Sequence, residues 1–505
     1  MSGVDGAADP APDAPGAAPA EVTPTQPDFD VVVVGGGVAG LVAARECAKR
    51  RLSVAVFEAS EAVGGCVGRI TLGDLTLDSG AEGFATRNGS VAVLLDELGL
   101  GDDIVEPNPA GAWLIWGGSN GVDAAPLPTT SVVGIPANPL AADVRRILGW
   151  PGALRAYLDR VRPYLKIGRA ESLGDLVRER MGRAVLDRLV TPIASGVYSA
   201  DATLLEVDRV APGLNAELTR LGSLSAAVTA LVAERKAGSA VLGLRGGMHR
   251  LVDALRADAE RLGVVVHTGS PVRSLSATDE ADAADAASGA SIRLDVGDDA
   301  SITAAHVVFA CSATATQALA AGVVPNLPAP MQPAGQAVEL ITLVLHTGVL
   351  DDAPRGTGAL VAEGAPGVAA KALTHSSAKW SWLAEPGRAV LRLSYGRAGH
   401  PNPLDGLDDA AATALAVQDL NAILGVGLST TDVHAFARTR WQDAASHATL
   451  GQAARVRAFE RAVSDASNIS VTGSWIAGTG LASVVPHAIQ VAAQAVQAVL
   501  MPKTA

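Results

Sequence analysis

Phe29-Asp30-Val31-Val32-Val33-Val34-Gly35-Gly36-Gly37-Val38-Ala39-Gly40 is the stretch on which the fold of this chain turns. The unbroken β-branched run Val31–Val34 predicts a strand covered on both faces. Gly35, Gly37 and Gly40 come next in G-x-G-x-x-G spacing, and Val38, Leu41, Val42 and Ala48 then recur at helical spacing in a segment reaching Arg50. A second apolar run, Ser53–Phe57, closes a βαβ unit and leads into Glu58. A glycine pattern alone is a weak signal; between a buried strand and a helix it predicts a diphosphate cradle. Gly35 permits the tight turn, Gly37 lets the backbone approach a pyrophosphate, and Gly40 lets helix and strand pack closely. Gly36, Val38 and Ala39 complete the turn, whose free N–H groups sit at the positive end of the helix. A carboxylate at Glu58 accepts hydrogen bonds from adenosine ribose hydroxyls and repels a 2′-phosphate, which argues against NADP.

Outward from this unit the pattern changes. Between 139 and 235 the sequence reads as helices: Ala141–Leu148, Leu154–Arg162, Leu173–Met181 and Leu221–Lys236. Strand and helix alternate again from 244 to 311, with a helix over Met248–Leu262 and strands over Val264–His267, Ile292–Val296 and Val307–Ala310. The acidic, low-complexity Ala277–Ala290 segment between them is expected to be a mobile loop. Strands are expected at Ala337–Leu345 and Ala389–Tyr395. The last segment, Ser483 to Leu500, is apolar but interrupted by Gln490, Gln494 and Gln497, the pattern of a core helix with one polar stripe.

The chain has 505 residues, enough for two or three domains. Its formal net charge of -13 disfavours nucleic acid and anionic membrane surfaces. Cys47, Cys66 and Cys311 are widely spaced and odd in number, which predicts free thiols, no metal site and a reducing, cytoplasmic setting. Residues 1–27 hold no basic start and no apolar core, so a disordered tail is expected rather than a secretory signal. No transmembrane helix is expected. Gly117-Gly118-Ser119-Asn120-Gly121 fits the serine hydrolase elbow G-x-S-x-G, but it opens no helix and reads as a hairpin turn.

The residues beyond Glu58 and Ala59 narrow the cofactor. Gly64-Gly65-Cys66, Gly68-Arg69 and Asp78-Ser79-Gly80-Ala81-Glu82-Gly83 resemble the flavin amine oxidase superfamily, and that resemblance implies FAD. Cys66 stands where the superfamily usually has Arg or Lys. Val272 matches a backbone contact to adenine, and Gly473, Thr479, Gly480 and Leu481 match the turn and helix N-terminus at the flavin. Trp441 belongs to the Arg-Trp pair of the same frame. Five stretches further resemble the protoporphyrinogen/coproporphyrinogen oxidases. They are Asp78–Phe84, Leu127-Pro128 through Gly134-Ile135-Pro136-Ala137-Asn138-Pro139, Glu171–Asp175, Thr191-Pro192 with Ser195-Gly196-Val197-Tyr198, and Leu244–Met248. Lys371–His375 with Lys379-Trp380 is similar to soluble actinobacterial members.

The resemblance implies a mixed α/β fold: a Rossmann-like FAD-binding domain, a mixed-sheet substrate domain and a helical insertion. The division expected is FAD-binding at 28–112, 241–318 and 436–505, substrate-binding at 113–138 and 319–435, and helical at 139–240. It implies oxidation of coproporphyrinogen III to coproporphyrin III in haem biosynthesis, with oxygen as acceptor and hydrogen peroxide as product. Protoporphyrinogen IX is the alternative substrate. Arg87, Lys371 and Lys379 are candidate partners for substrate carboxylates, and no residue is assigned as an obligatory base. Transient contact with other haem-pathway enzymes is expected. An amine oxidase needs an aromatic cage, hard to build with four tyrosines. A carotenoid desaturase needs a more apolar entrance, and a non-catalytic FAD-binding module is the remaining reading.

Overall fold

The Val31–Val34 run lies inside a parallel sheet, as its two-sided apolar character requires. Phe29–Val34 pairs in parallel with Val54–Phe57 on one side and with Ala300–Phe309 on the other. Val265–His267 extends the sheet beyond Val54–Phe57, and Ile469–Val471 joins the later half of Ala300–Phe309, both in parallel. The first half of Ala300–Phe309 pairs antiparallel with Ile292–Val296, and that strand with Val272–Ala277. The computed structural model describes residues 27–119, 121–163, 168–234, 241–278, 291–298, 300–328, 337–441, 448–466 and 468–501. All of the expected tail but Pro27, and most of the expected mobile loop, lie outside these residues.

The strand's alternation sorts its side chains between two cores. Val31 and Val33 meet Ala43, Ala44 and Cys47 of the Val38–Ala48 helix and Val491, Ala492 and Ala495 of the Leu481–Leu500 helix. Val32 and Val34 face Phe459 and Val463 of the Gln452–Ser464 helix. Leu481–Leu500 is long and apolar enough to cross a membrane by length and composition. Its Val484, Val485, Ala488, Val491, Ala492 and Ala495 are nevertheless buried inside the protein, and Gln490, Gln494 and Gln497 form the exposed stripe.

His306 sits within this sheet, its Nε2 2.9 Å from Ser470 Oγ and its Nδ1 without a partner among the described residues. Burial lowers its pKa from 6.5 to about 4. Folding therefore favours the neutral ring, and the stability it contributes is complete above pH 6.5 and lost as pH falls toward 4. Urea unfolding at pH 5 should show wild type weakened by on the order of 2 kcal/mol relative to pH 7.5 through this group. His306→Asn should remove that share of the pH dependence.

A second seven-stranded sheet runs Val433–Trp441, Val338–His346, Arg388–Tyr395, Ala372–His375, Gly358–Val361, Trp113–Gly118, Gly121–Pro126. One face packs on the Asp409–Leu424 helix through Ile341, Leu343, Leu391, Leu393, Ala416 and Leu420. Trp113–Gly118 and Gly121–Pro126 form the expected hairpin in place of a hydrolase elbow. The helical layer is built largely on residues 142–233 and has its own core around Leu173, Val177, Leu189 and Leu214. Here the Leu221–Lys236 expectation is corrected. Gly222, at φ 70°, ends the Leu214–Leu221 helix, and the Ser223 hydroxyl caps a separate Leu224–Ala233 helix. Gly149, at φ 68°, kinks the Ala142–Tyr157 helix ahead of Pro151.

Candidate dinucleotide and substrate site

The three central parallel strands deliver their carboxyl ends to one crevice, the usual ligand position in an open α/β sheet. Gly35–Gly40 leaves Phe29–Val34 there, Cys311 follows Ala300–Phe309, and Gly473 follows Ile469–Val471. The glycines are sterically required. A Cβ on Gly40 would lie 1.9 Å from Gly35 O, and one on Gly35 would lie 2.8 Å from Ala310 O. A Cβ on Gly37 would meet nothing within 4 Å, so the turn has open space where a diphosphate would lie. Neither the Val38–Ala48 helix at Gly37 nor the Leu481–Leu500 helix at Gly480 has a side-chain cap. Their first N–H groups thus face the crevice without a capping side chain.

Glu58 follows its strand as expected. Its Oε2 accepts from Gly36 N at 2.7 Å, and its Oε1 accepts from the backbone N and hydroxyl of Ser60. A carboxylate offers about four acceptor positions, so one is left for a ribose hydroxyl. Ala59 beside it is exposed. Val272 opens its strand just after Ser270, whose N donates to Glu58 O at 2.9 Å. That bond, with Gly269 N to Ser60 O at 2.8 Å, ties the Val272 strand to the Glu58 loop.

The Gly64–Gly83 segment forms the next wall. Gly64 N donates to Gly36 O at 2.9 Å, and Gly65 and Cys66 form an exposed one-turn helix beside Gly37. Ala81 N donates to Cys66 O at 2.8 Å, and a Cβ on Gly80 would lie 2.3 Å from that same oxygen. Such a Cβ would also stand 3.4 Å from the Trp441 ring, which places Trp441 against this wall. The Trp441 Nε1 is buried with no partner among the described residues. Gly83 packs against Leu242 O, where a Cβ would come within 2.7 Å. Asp78 accepts from Met248 N, His249 N and the His249 ring, at 2.9, 2.8 and 3.0 Å, and so caps the His249–Arg261 helix. Thr479, Gly480 and Leu481 sit where the last helix begins, and Gly473, at φ 121°, makes the bend before it.

Sequence reasoning missed Arg392. Its guanidinium donates to Gly80 O at 2.7 Å and to Asp78 O, and lies 3.0 Å from the Glu82 carboxylate. Ser376 Oγ donates to Glu82 at 2.7 Å, and Lys379 Nζ stands 3.7 Å away. Burial alone would push the Glu82 carboxyl up; Arg392, then Lys379 and Ser376, override it and hold it below the usual carboxylate range. The signal was an arginine in the apolar strand Ala389-Val390-Leu391-Arg392-Leu393, a position that demands a buried partner.

The three candidate anchors separate. Lys379 is engaged with Glu82 and lies over the Trp380 ring, 4.9 Å from its centroid. Arg87 Nη2 donates to Ser483 Oγ at 2.8 Å, in the first turn of the Leu481–Leu500 helix. Lys371 is buried at the seam of the second sheet and the helical layer, and donates to Ser199 Oγ at 3.1 Å.

The crevice fits a dinucleotide. Backbone donors line it, its glycines leave no room for side chains in the turn but open space beyond Gly37, and Trp441 offers beside Gly80 an N–H with no partner among the described residues. The flavin containing amine oxidoreductase family matches residues 38–500. The coproporphyrinogen III oxidase of Mycobacterium tuberculosis is 29% identical over 474 residues, covering 93% of this chain and 96% of that protein. The coproporphyrinogen III oxidase of Bacillus subtilis is 24% identical over 473 residues, covering 89% and 94%. A crystal structure from Exiguobacterium sp. 255-15 shares the fold, with a TM-score of 0.77, 23% identity and coverage of 92% and 98%. The crevice, the match along nearly the whole chain and the shared fold make one statement: the chain belongs to the flavin containing amine oxidoreductases, an FAD-dependent oxidoreductase.

Proposed function

We propose that this enzyme oxidises coproporphyrinogen III to coproporphyrin III. The observation that carries the reading is similarity to coproporphyrinogen III oxidases along 93% of the chain, which includes the helical layer and second sheet as well as the cofactor frame. Bound FAD supplies the two-electron acceptor, with oxygen as the final oxidant and hydrogen peroxide as product. Three such two-electron oxidations, with a proton shift from a ring-bridging carbon to nitrogen between them, remove four hydrogens from the bridging carbons and two from pyrrole nitrogens and complete the aromatic ring. The chain's own part is position and charge. The Gly35–Gly40 turn would hold the diphosphate and Glu58 the adenosine ribose, the helix beginning at Leu481 would face the flavin, and Gly65, Gly80 and Trp441 would line the wall beside them. Arg87, fixed beside Ser483, presents a cation for a substrate carboxylate at that end of the crevice.

The same reading assigns 28–112, 241–318 and 436–505 to FAD binding, 113–138 and 319–435 to substrate binding, and 139–240 to a helical domain. It sets the reaction in the cytoplasm, with transient contact to other haem-pathway enzymes. The three cysteines are free, which supports a reducing setting. The direct test offers both porphyrinogens to the flavin-bound protein under air. Fluorescent porphyrin and peroxide, with a higher kcat/KM for coproporphyrinogen III, are expected; turnover of neither would sink the reading. Arg87→Leu should raise KM for coproporphyrinogen III about tenfold with flavin content unchanged.

A further inference from the structure

Buried Lys371 and half-buried Arg397 bring two like charges within reach of each other. Lys371 is only 1% exposed, and its Nζ uses one of three donors, on Ser199 Oγ at 3.1 Å. Arg397 donates to Ser195 Oγ at 3.3 Å, to Val361 O at 2.9 Å and to Ala370 O at 3.3 Å. Its guanidinium has five donors, so both side chains hold some in reserve. Among the described residues no carboxylate forms an ion pair with either. Glu363, whose charge reaches Arg397, pairs instead with His400 at 3.0 Å. Burial, then the charge of Arg397, lowers the Lys371 pKa from 10.5 to about 8. A buried ammonium within reach of a second cation opposes folding unless an anion joins them.

The helical layer supplies the other side of the pair. Ser195 and Ser199 come from the end of the Thr191–Tyr198 helix, one turn apart, with Ser199 held at φ 50°. Tyr198, next to Ser199, feels the charge of Arg87. The cations therefore fall into two groups: Arg87 at the start of the Leu481–Leu500 helix, and Lys371 with Arg397 at the seam of sheet and helices. A dicarboxylate porphyrinogen carries vinyl groups where a tetracarboxylate carries two further propionates. We propose that Lys371 and Arg397, with the Ser195 and Ser199 hydroxyls, form a second carboxylate subsite that takes those further propionates and selects tetracarboxylate over dicarboxylate substrates. This rests on the functional reading above, and it names what chooses between the two porphyrinogens.

The test uses flavin-bound wild type, Lys371→Met, Lys371→Arg and Ser199→Gly. Steady-state KM is measured for both porphyrinogens, and Kd by fluorescence quenching for coproporphyrin III and for the dicarboxylate deuteroporphyrin. Lys371→Met should keep its flavin and melt no lower than wild type, since an unbalanced buried cation has gone. Its KM and Kd for the tetracarboxylates should rise at least tenfold, and those for the dicarboxylates by less than threefold. Lys371→Arg should recover most of the loss. Ser199→Gly removes a hydroxyl while easing the left-handed backbone, so it tests the subsite even if Lys371→Met fails to fold; a threefold weaker Kd for coproporphyrin III is expected. Unchanged tetracarboxylate binding in a folded variant, or an equal loss for both porphyrin classes, overturns the subsite alone. Wild type that neither oxidises nor binds any of these porphyrins overturns the functional reading and the subsite with it.

Discussion

Gly40→Val should yield a chain that purifies without flavin and cannot be loaded with it. The added Cβ would lie 1.9 Å from Gly35 O, and Gly35 cannot retreat because Ala310 O already stands 2.8 Å from its own Cβ position. The helix must move off the strand, which carries the free N–H groups away from the diphosphate. Forced overpacking of this kind costs about 1–3 kcal/mol, and at least about a hundredfold loss of FAD affinity is expected. Gly37→Ala separates packing from binding, because its Cβ meets no protein atom within 4 Å. That variant should keep its melting temperature without cofactor and still bind FAD weakly. Cofactor absorbance and apoprotein melting curves measure both effects. A Gly40→Val protein that retains bound flavin would show that the turn is not the cradle.

The second large effect is expected at Arg392. Arg392→Met strips two carbonyls and the Glu82 carboxylate of their main donor, leaving a buried anion with Lys379 at 3.7 Å and the Ser376 hydroxyl. Breaking a buried pair from one side typically destabilises by about 3–5 kcal/mol. Adding Glu82→Gln should restore part of that loss, because the uncompensated charge disappears. Acid should mimic the damage. Glu82 is held below its usual pKa, so its contribution is complete above the unfolded value and fades as pH falls through the folded one. A double variant no more stable than Arg392→Met, measured by urea unfolding, would refute the pairing as the cause.

The dinucleotide unit was legible in the sequence because its requirements are local. Strand, glycine turn and helix occupy consecutive residues, and each glycine's role follows from spacing alone. The helices were legible where periodicity ran unbroken, as at Leu173–Met181, and misread where Gly222 interrupted an apolar run without disturbing its period. The Glu82–Arg392 pair was not legible, since its members stand 310 positions apart and neither lies in a motif that names the other. Lys371 and Lys379 looked alike as basic residues in one family-like stretch. Folding gave Lys379 an acid and Lys371 none among the described residues, a difference set by neighbours from other segments.

The Ala300–Phe309 strand ties residues 29–34, 292–296 and 469–471 into one sheet. During synthesis the Phe29–Val34 strand must therefore wait for Ala300–Phe309, whose own parallel neighbour Ile469–Val471 emerges later still. Non-local pairing of this kind slows folding and leaves apolar edges uncovered in the interval. Nascent chains of this enzyme should thus lean on chaperones, and truncation ahead of Ile469 should give an aggregating product rather than a smaller working one.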